Sequence, residues 1–375
     1  MVRNIAICGQ KIRNSISGSN FIDTIEMNNV PVFCGLVHSE NIEFNPNAPE
    51  NRFKVLVKKK AFSCNYRDKA LIFKMMNFGL DDSFYVVGSD FVGEVVNLGS
   101  EVINFQIGDK VIGNNAYPYS STSGSLPGIP SNHGSKEYQV LHQEKLVKVP
   151  HDMPDDVAAA FSIGGQTSYS VVRKLNPTPG SNILVTAAKS NTSLFVISAL
   201  KKYNVNIFAT TTSLLFEEEL RAMGIKEVIL LESKNNKLTE NKFIREFVEK
   251  NGGFDCVFDP FFDLYLEEAV QIMAFNAKYI TCGLYDQYFE LINQDPHLSS
   301  LDFNRIMNIA MVKNLQIIGN CLGDKEDLEN AIQDYSTGKL NIPIDSVFTG
   351  NQVKSFFERT YNAKDRFGKV VYKYD

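Results

Sequence analysis

Two short stretches of this chain carry side chains suited to chemistry. In CNYRD, residues 64–68, Asn65 offers an amide that can donate or accept, and Tyr66 a phenol that can give a hydrogen bond or, with an ordinary pKa near ~10, a proton. Packing alone also accounts for them: Tyr66 as a buried aromatic, Arg67 paired with Asp68 to brace a turn, Cys64 as core. In VTAAKSNTSLF, Val185–Phe195, an apolar strand ends and a helix begins near Thr192. The turn between them holds Ala187, Lys189, Ser190, Asn191 and Thr192 in front of helix N–H groups, which is where an anionic group can be held.

The residues that would hold a metal are not grouped. The cysteines Cys8, Cys34, Cys64, Cys256, Cys282 and Cys321 show no C-x-x-C spacing, and His38, His133, His142, His151 and His297 show no paired spacing. The expectation is reduced, mostly buried thiols and no metal centre. A formal charge of −5 gives no basic stripe for nucleic acid, and the run Lys58–Lys60 reads as solvated at a strand end. The start, MVRNIAICGQKIRNS, fits neither a signal peptide nor a membrane span, so a cytoplasmic location is expected.

The elements that position these residues fall into two patterns. Residues 53–113 read as β structure, with FKVLVKKKAFS alternating and YVVGSDFVGEVVNLG and GDKVIG punctuated by glycine. From Ala158 the short strands NILVTAA, VNIFATT, EVILL, CVFDP and KYITCG alternate with helices such as SLFVISALKK and FEEELRAM, which implies a parallel sheet. After about Gly338 short strands return, IPIDSVFTG and KVVYKY, and fold back onto the first part. The segment SSTSGSLPG, residues 120–128, reads as a surface loop.

In order, KAFSCNYRD, VVGSDFVGEVVNLGSEVINFQIGDKVIG, GSKEYQVLHQEKLVKVP, AAAFSIGGQTSYSVV, PGSNILVTAA, ATTTS, RAMGIKEVI, FDCVFDP, AKYITCG, GKLNIPIDSVF and GKVVY resemble the medium-chain dehydrogenase/reductase superfamily from about residue 53 onward. The resemblance implies an α/β chain: a GroES-like β-barrel catalytic domain over 1–155 and 339–375, with 1–50 partly an atypical extension, and a Rossmann doubly wound parallel-sheet cofactor domain over 156–338. Zinc members use a Cys and a G-H-E histidine where Asn65 and Ser89 stand here, and a four-cysteine lobe that is missing between Gly113 and Ser131. The resemblance is therefore to the zinc-less quinone and enoyl reductase branch.

That branch implies hydride transfer from a nicotinamide cofactor to an activated C=C bond, with Asn65 and Tyr66 as catalytic residues that orient and protonate the acceptor. Thr167, with Gly165, lies in the segment implied to face the nicotinamide. Ala187, Lys189, Ser190, Asn191 and Thr192 form the turn where glycines are usual, with Ala187, Ser190, Asn191 and Ser193 in the glycine places, and Gly283 closes a later strand. Thr211, Thr212 and Ser213 end the second strand, where an acidic residue would select NADH, so NADPH is expected over NADH. Arg221 is the nearby arginine, and pairing with the glutamates Glu217–Glu219 also accounts for it. The substrate is a small molecule or a peptide. The alternatives are a dehydroalanine reductase forming D-alanine in a ribosomally made peptide, as in lantibiotic maturation, with a groove lined by residues 1–50 or Tyr117–Ser131, and a non-catalytic scaffold protein. A homodimer is expected.

Overall fold

The computed structural model describes residues 1–9, 21–77, 83–116, 132–232, 237–287 and 301–374. The loop over 120–128, the Tyr117–Ser131 groove candidate and His297 lie outside the described residues. The chain divides into two compact units, one made of Met1–Ile163 and Pro343–Asp375, the other of Gly164–Gln287 and Asp295–Ile342. Residues 156–163 therefore sit with the first unit.

The second unit is built on a six-stranded parallel sheet: β1 (Asn182–Val185), β2 (Asn206–Thr211), β3 (Ile225–Leu230), β4 (Phe254–Asp259), β5 (Met273–Thr281) and β6 (Gln316–Gly319). Their order across the sheet is β3-β2-β1-β4-β5-β6, the doubly wound order whose direction reverses between β1 and β4. Strands β1 and β4 are almost wholly buried, as expected of apolar runs covered by helices on both faces. Phe208, Phe254, Val257, Tyr265, Val270 and Tyr279 belong to the core beneath. Strand β6 did not register as a strand in the sequence, because it is four residues long and largely exposed.

The first unit carries a seven-stranded sheet. Across it run Ile344–Thr349, Lys369–Lys373, Lys54–Ser63, Asp90–Leu98, Lys110–Gly113 and Leu146–Lys148, with Tyr138–His142 also paired to Lys54–Ser63. Lys54–Ser63 is antiparallel to Asp90–Leu98, with Ser63 opposite Asp90. The first residues form a further sheet of Val2–Cys8, Phe21–Met27, Val30–Ser39 and Phe84–Val86.

Two readings of this region need correction. The span 53–113 is not all β: Tyr66–Asn77 is a helix, in which Ile72 and Phe73 share the buried face. The lysine run is not wholly solvated either. Side chains alternate along Lys54–Ser63, so Lys58 and Lys60 are half-buried while Lys59 points inward and is 0% exposed. All six cysteines are free thiols; Cys8, Cys34, Cys64 and Cys256 are buried, Cys282 is intermediate and Cys321 exposed. Among the described residues no helix is long and apolar enough to cross a membrane.

Candidate active site

In the second unit the predicted residues other than Thr167 lie at the carboxyl ends of β1, β2 and β5, in the sheet whose strand order reverses between β1 and β4. After β1 the backbone turns at Ala187, whose φ of 47° lies in the left-handed region that glycine normally serves. The turn is pinned from both neighbouring strands. Ala188 N donates to Thr210 O at 2.8 Å, and Thr186 N to Phe258 O at 3.0 Å. The helix that follows is Asn191–Leu200, one residue earlier than expected, and Ser190 caps it by accepting from Ser193 N at 3.2 Å. Ser193 Oγ returns a bond to Thr186 O at 2.9 Å, so small side chains replace glycine by bonding the turn to itself. The first N–H groups of the helix, at Asn191 and Thr192, have no intrahelical acceptor, and a helix start of this kind suits an anion. Asn191 Nδ2 is buried there without a partner.

Asp259, at the end of β4, went unnoticed in the sequence because it sits inside an apolar strand. Its carboxylate accepts from Thr186 Oγ1 at 2.6 Å, Tyr279 Oη at 2.7 Å and Phe261 N at 3.0 Å. Complete burial pushes its pKa up to about 6 against those bonds. It thereby ties the turn after β1 to β4 and β5.

At the end of β2, Thr211 is buried and spends its hydroxyl on Ser213, donating to Ser213 O at 2.9 Å. Thr212 is exposed, and Ser213 Oγ accepts from Leu215 N at 3.2 Å. Arg221 is engaged, donating to Glu217 at 2.8 Å and lying 3.5 Å from Glu227. Lys189 Nζ instead reaches from the turn to 5.9 Å from the Phe216 ring, beside this strand end. Gly283 passes so close to Pro260 that a side chain there would meet its carbonyl at 2.5 Å. Thr167 is buried within the helix Ser162–Leu175. Gln166 Nε2 donates to Asp324 O at 3.0 Å and holds that helix against the segment after β6.

In the first unit, Asn65 stands at the centre of a buried polar network. Its Nδ2 donates to Ser89 Oγ at 2.8 Å and to Asp90 Oδ2 at 2.7 Å, and its Oδ1 accepts from Lys369 Nζ at 2.6 Å. Lys369 also lies 3.0 Å from Asp90 Oδ2. The other Asp90 oxygen accepts from Ser162 Oγ at 2.9 Å and Ile163 N at 2.8 Å. Asp68 accepts from Asn65 N at 2.6 Å and from Ser89 Oγ; burial raises its pKa, and these bonds oppose the rise. Both amide hydrogens of Asn65 are therefore engaged, and donating to an acceptor carbonyl would break one of those bonds. Tyr66 follows directly as the first residue of its helix and is half-buried. Lys369 and Ser162 were not legible as site residues, since nothing local links position 369 to position 65. Among the described residues no cluster of three His, Cys, Asp or Glu side chains could hold a metal ion.

Residues 51–151 match the alcohol dehydrogenase GroES-like domain. Over 337 residues the chain is 23% identical to an acryloyl-coenzyme A reductase of Metallosphaera sedula, covering 85% of this chain and 91% of that protein. It is 22% identical over 302 residues to a phenolphthiocerol/phthiocerol polyketide synthase protein of Mycobacterium tuberculosis, covering 78% of this chain but spanning only 12% of that protein's length. A crystal structure of an NAD-dependent alcohol dehydrogenase superposes with a TM-score of 0.72 at 23% identity, covering 91% of this chain and 95% of the other. What the chain shares with these proteins is a GroES-like domain over residues 51–151, a relative of 23% identity that runs along most of its length, and the fold.

Proposed function

We propose that this protein is an oxidoreductase that reduces an activated C=C bond with NADPH and works without zinc. The observation that carries the reading is the turn after β1, where Ala187 keeps the left-handed backbone of a glycine and Asn191 and Thr192 keep their N–H groups free of intrahelical bonds. The likeness to an acryloyl-coenzyme A reductase supports the reaction class.

When bound, the reduced nicotinamide supplies a hydride for the β-carbon. In this reading Ser190, Asn191, Thr192 and Ala187 hold the pyrophosphate, while Thr167 and Gly283 bound the nicotinamide end. Lys189, standing beside Phe216, meets the extra ribose phosphate of NADPH. Thr211, Thr212 and Ser213 line the ribose without the carboxylate that NADH would favour. Tyr66 donates to the acceptor carbonyl or delivers the proton that the α-carbon gains, and Asn65 fixes the chain just ahead of it. A zinc ion does not fit beside Asn65 and Ser89. Their amide and hydroxyl are poor zinc donors, and the buried Lys369 ammonium already occupies Asn65 Oδ1 at 2.6 Å. The exposed apolar side chains of Phe303, Met307, Met311 and Val312 and of Ile317 on edge strand β6 support a homodimer formed at this face of the second unit.

The test is a titration with NADPH and NADH followed by nicotinamide fluorescence, then turnover with an enone, an acryloyl thioester and a dehydroalanine peptide. Micromolar binding of NADPH and reduction of one acceptor are expected. Tyr66→Phe should lower kcat by on the order of 10²-fold with cofactor affinity intact. Absence of binding up to millimolar cofactor overturns the reading and leaves a scaffold role.

A further inference from the structure

The inward-facing side of the strand Lys54–Ser63 creates a second polar region in the first unit. Lys59 is 0% and Lys145 2% exposed. Lys59 Nζ donates to Gln139 Oε1 at 2.9 Å and lies 3.1 Å above the centroid of the Phe91 ring. Among the described residues, Lys145 has neither a hydrogen-bond nor an ion-pair partner for its amine. Two polar atoms beside Lys59 and the Phe91 ring are buried and unsatisfied: Gln139 Nε2 and Asn132 Oδ1. Asn132 borders the same ring, since a side chain at Gly113 would touch both Phe91, at 3.1 Å, and the Asn132 amide, at 3.3 Å.

The charges here are of one sign. Lys59 is influenced by Lys136 and Lys145, both of its own sign. The buried acids of this unit are committed elsewhere: Glu137 to Arg3, Asp109 to Lys148, and Asp68 and Asp90 to the Asn65 network. Burial lowers the pKa of Lys59 and brings that of Lys145 to about 8, and His133, near Lys136 and Lys59, is held at about 4. Deprotonating the amines removes their charge but leaves the Gln139 N–H without an acceptor. A bound oxyanion answers both needs.

We infer that the interior of the first unit binds a small oxyanion, of carboxylate or phosphate chemistry, through the amines of Lys59 and Lys145 and the amide of Gln139. The site is independent of the oxidoreductase reading and uses none of its residues.

The test titrates the full chain with inorganic phosphate and, separately, with acetate at constant ionic strength, reading heat and the thermal midpoint. Saturable binding of one of them is expected, and the tighter one names the geometry. Lys145→Met and Gln139→Leu, checked for wild-type circular dichroism, should each weaken it at least tenfold; phosphate held instead at the helix Asn191–Leu200 would be unaffected by either. Because a core variant can fail to fold, the Cε signals of 13C-labelled lysine in the unaltered protein give a second readout, with those of Lys59 and Lys145 moving as the anion is added. No saturable binding of either anion, unchanged affinity in both folded variants, or unmoved Lys59 and Lys145 signals at saturation each overturns the inference.

Discussion

Lys369 Nζ lies 3.0 Å from Asp90 Oδ2 with the two side chains 1% and 0% exposed, so an ion pair shut away from solvent anchors the C-terminal strand beside Asn65. Removing one partner leaves the other charge buried alone. Lys369→Met should destabilise the first unit by roughly 3–5 kcal/mol, and the double variant Lys369→Met with Asp90→Leu should recover much of that loss. Urea unfolding of the three proteins checks it; a double variant no more stable than Lys369→Met would mean that the hydrogen bonds of Asp90 to Ser162 and Ile163 outweigh its charge.

At Ala187 the left-handed backbone is held by an L-residue with a side chain. Relieving it with Ala187→Gly removes about 1–2 kcal/mol of strain and returns about 0.4–1 kcal/mol of unfolded-state freedom, leaving a small net stabilisation. Ala187→Val should destabilise and, on the function proposed above, weaken cofactor binding. Denaturant midpoints and the cofactor titration report both, and a destabilised glycine variant would show that the alanine methyl packs favourably here.

Asp259 makes stability depend on pH. Its folded-state pKa, about 6, lies above the ordinary 3.8, so the native protein holds this proton more tightly. The contribution is present in full below pH 3.8 and is lost as pH rises through about 6, a change on the order of 3 kcal/mol. The stability difference between wild type and Asp259→Asn should therefore drift across that interval and be flat above it. Parallel pH profiles for the two proteins would count against a buried, reluctantly ionised carboxylate.

Phe303, Met307 and Met311 follow one another at four-residue intervals on the helix Phe303–Lys313, with Met311 70% exposed. If that face meets a second copy, Met311→Glu combined with Ile317→Asp should turn the dimer into a monomer in sedimentation without changing the circular dichroism spectrum. A wild-type monomer at micromolar concentration would rule the dimer out.

The parallel sheet was legible because its strands are apolar, short and separated by helical stretches, and the Ser190 cap could be read from a small polar residue ahead of SLFVISAL. Three features were hidden for different reasons. The run of three lysines looks solvated unless the strand period of two is applied to it, which turns Lys59 inward. The helix Tyr66–Asn77 is embedded between strands and its apolar residues LIF and MM read as more β structure. The bonds joining Asn65 to Lys369 and Thr186 to Asp259 span 304 and 73 residues, distances over which composition and spacing carry no signal. The site residues named from the turns were locally encoded; their partners are set by topology.

The strand Lys369–Lys373 lies inside its sheet, between Ile344–Thr349 and Lys54–Ser63. That edge of Lys54–Ser63 takes Tyr138–His142 along Lys54–Lys58 and Lys369–Lys373 only along Ala61–Ser63, so a ribosome making this chain leaves the Ala61–Ser63 end uncovered while it synthesises the parallel strands of the second unit, until the last strand emerges. Until then that edge is a template for pairing with another nascent chain. Yield in cells should consequently respond to chaperone supply and to elongation rate, and a stop codon placed ahead of Lys369 should produce inclusion bodies rather than a soluble, merely inactive protein.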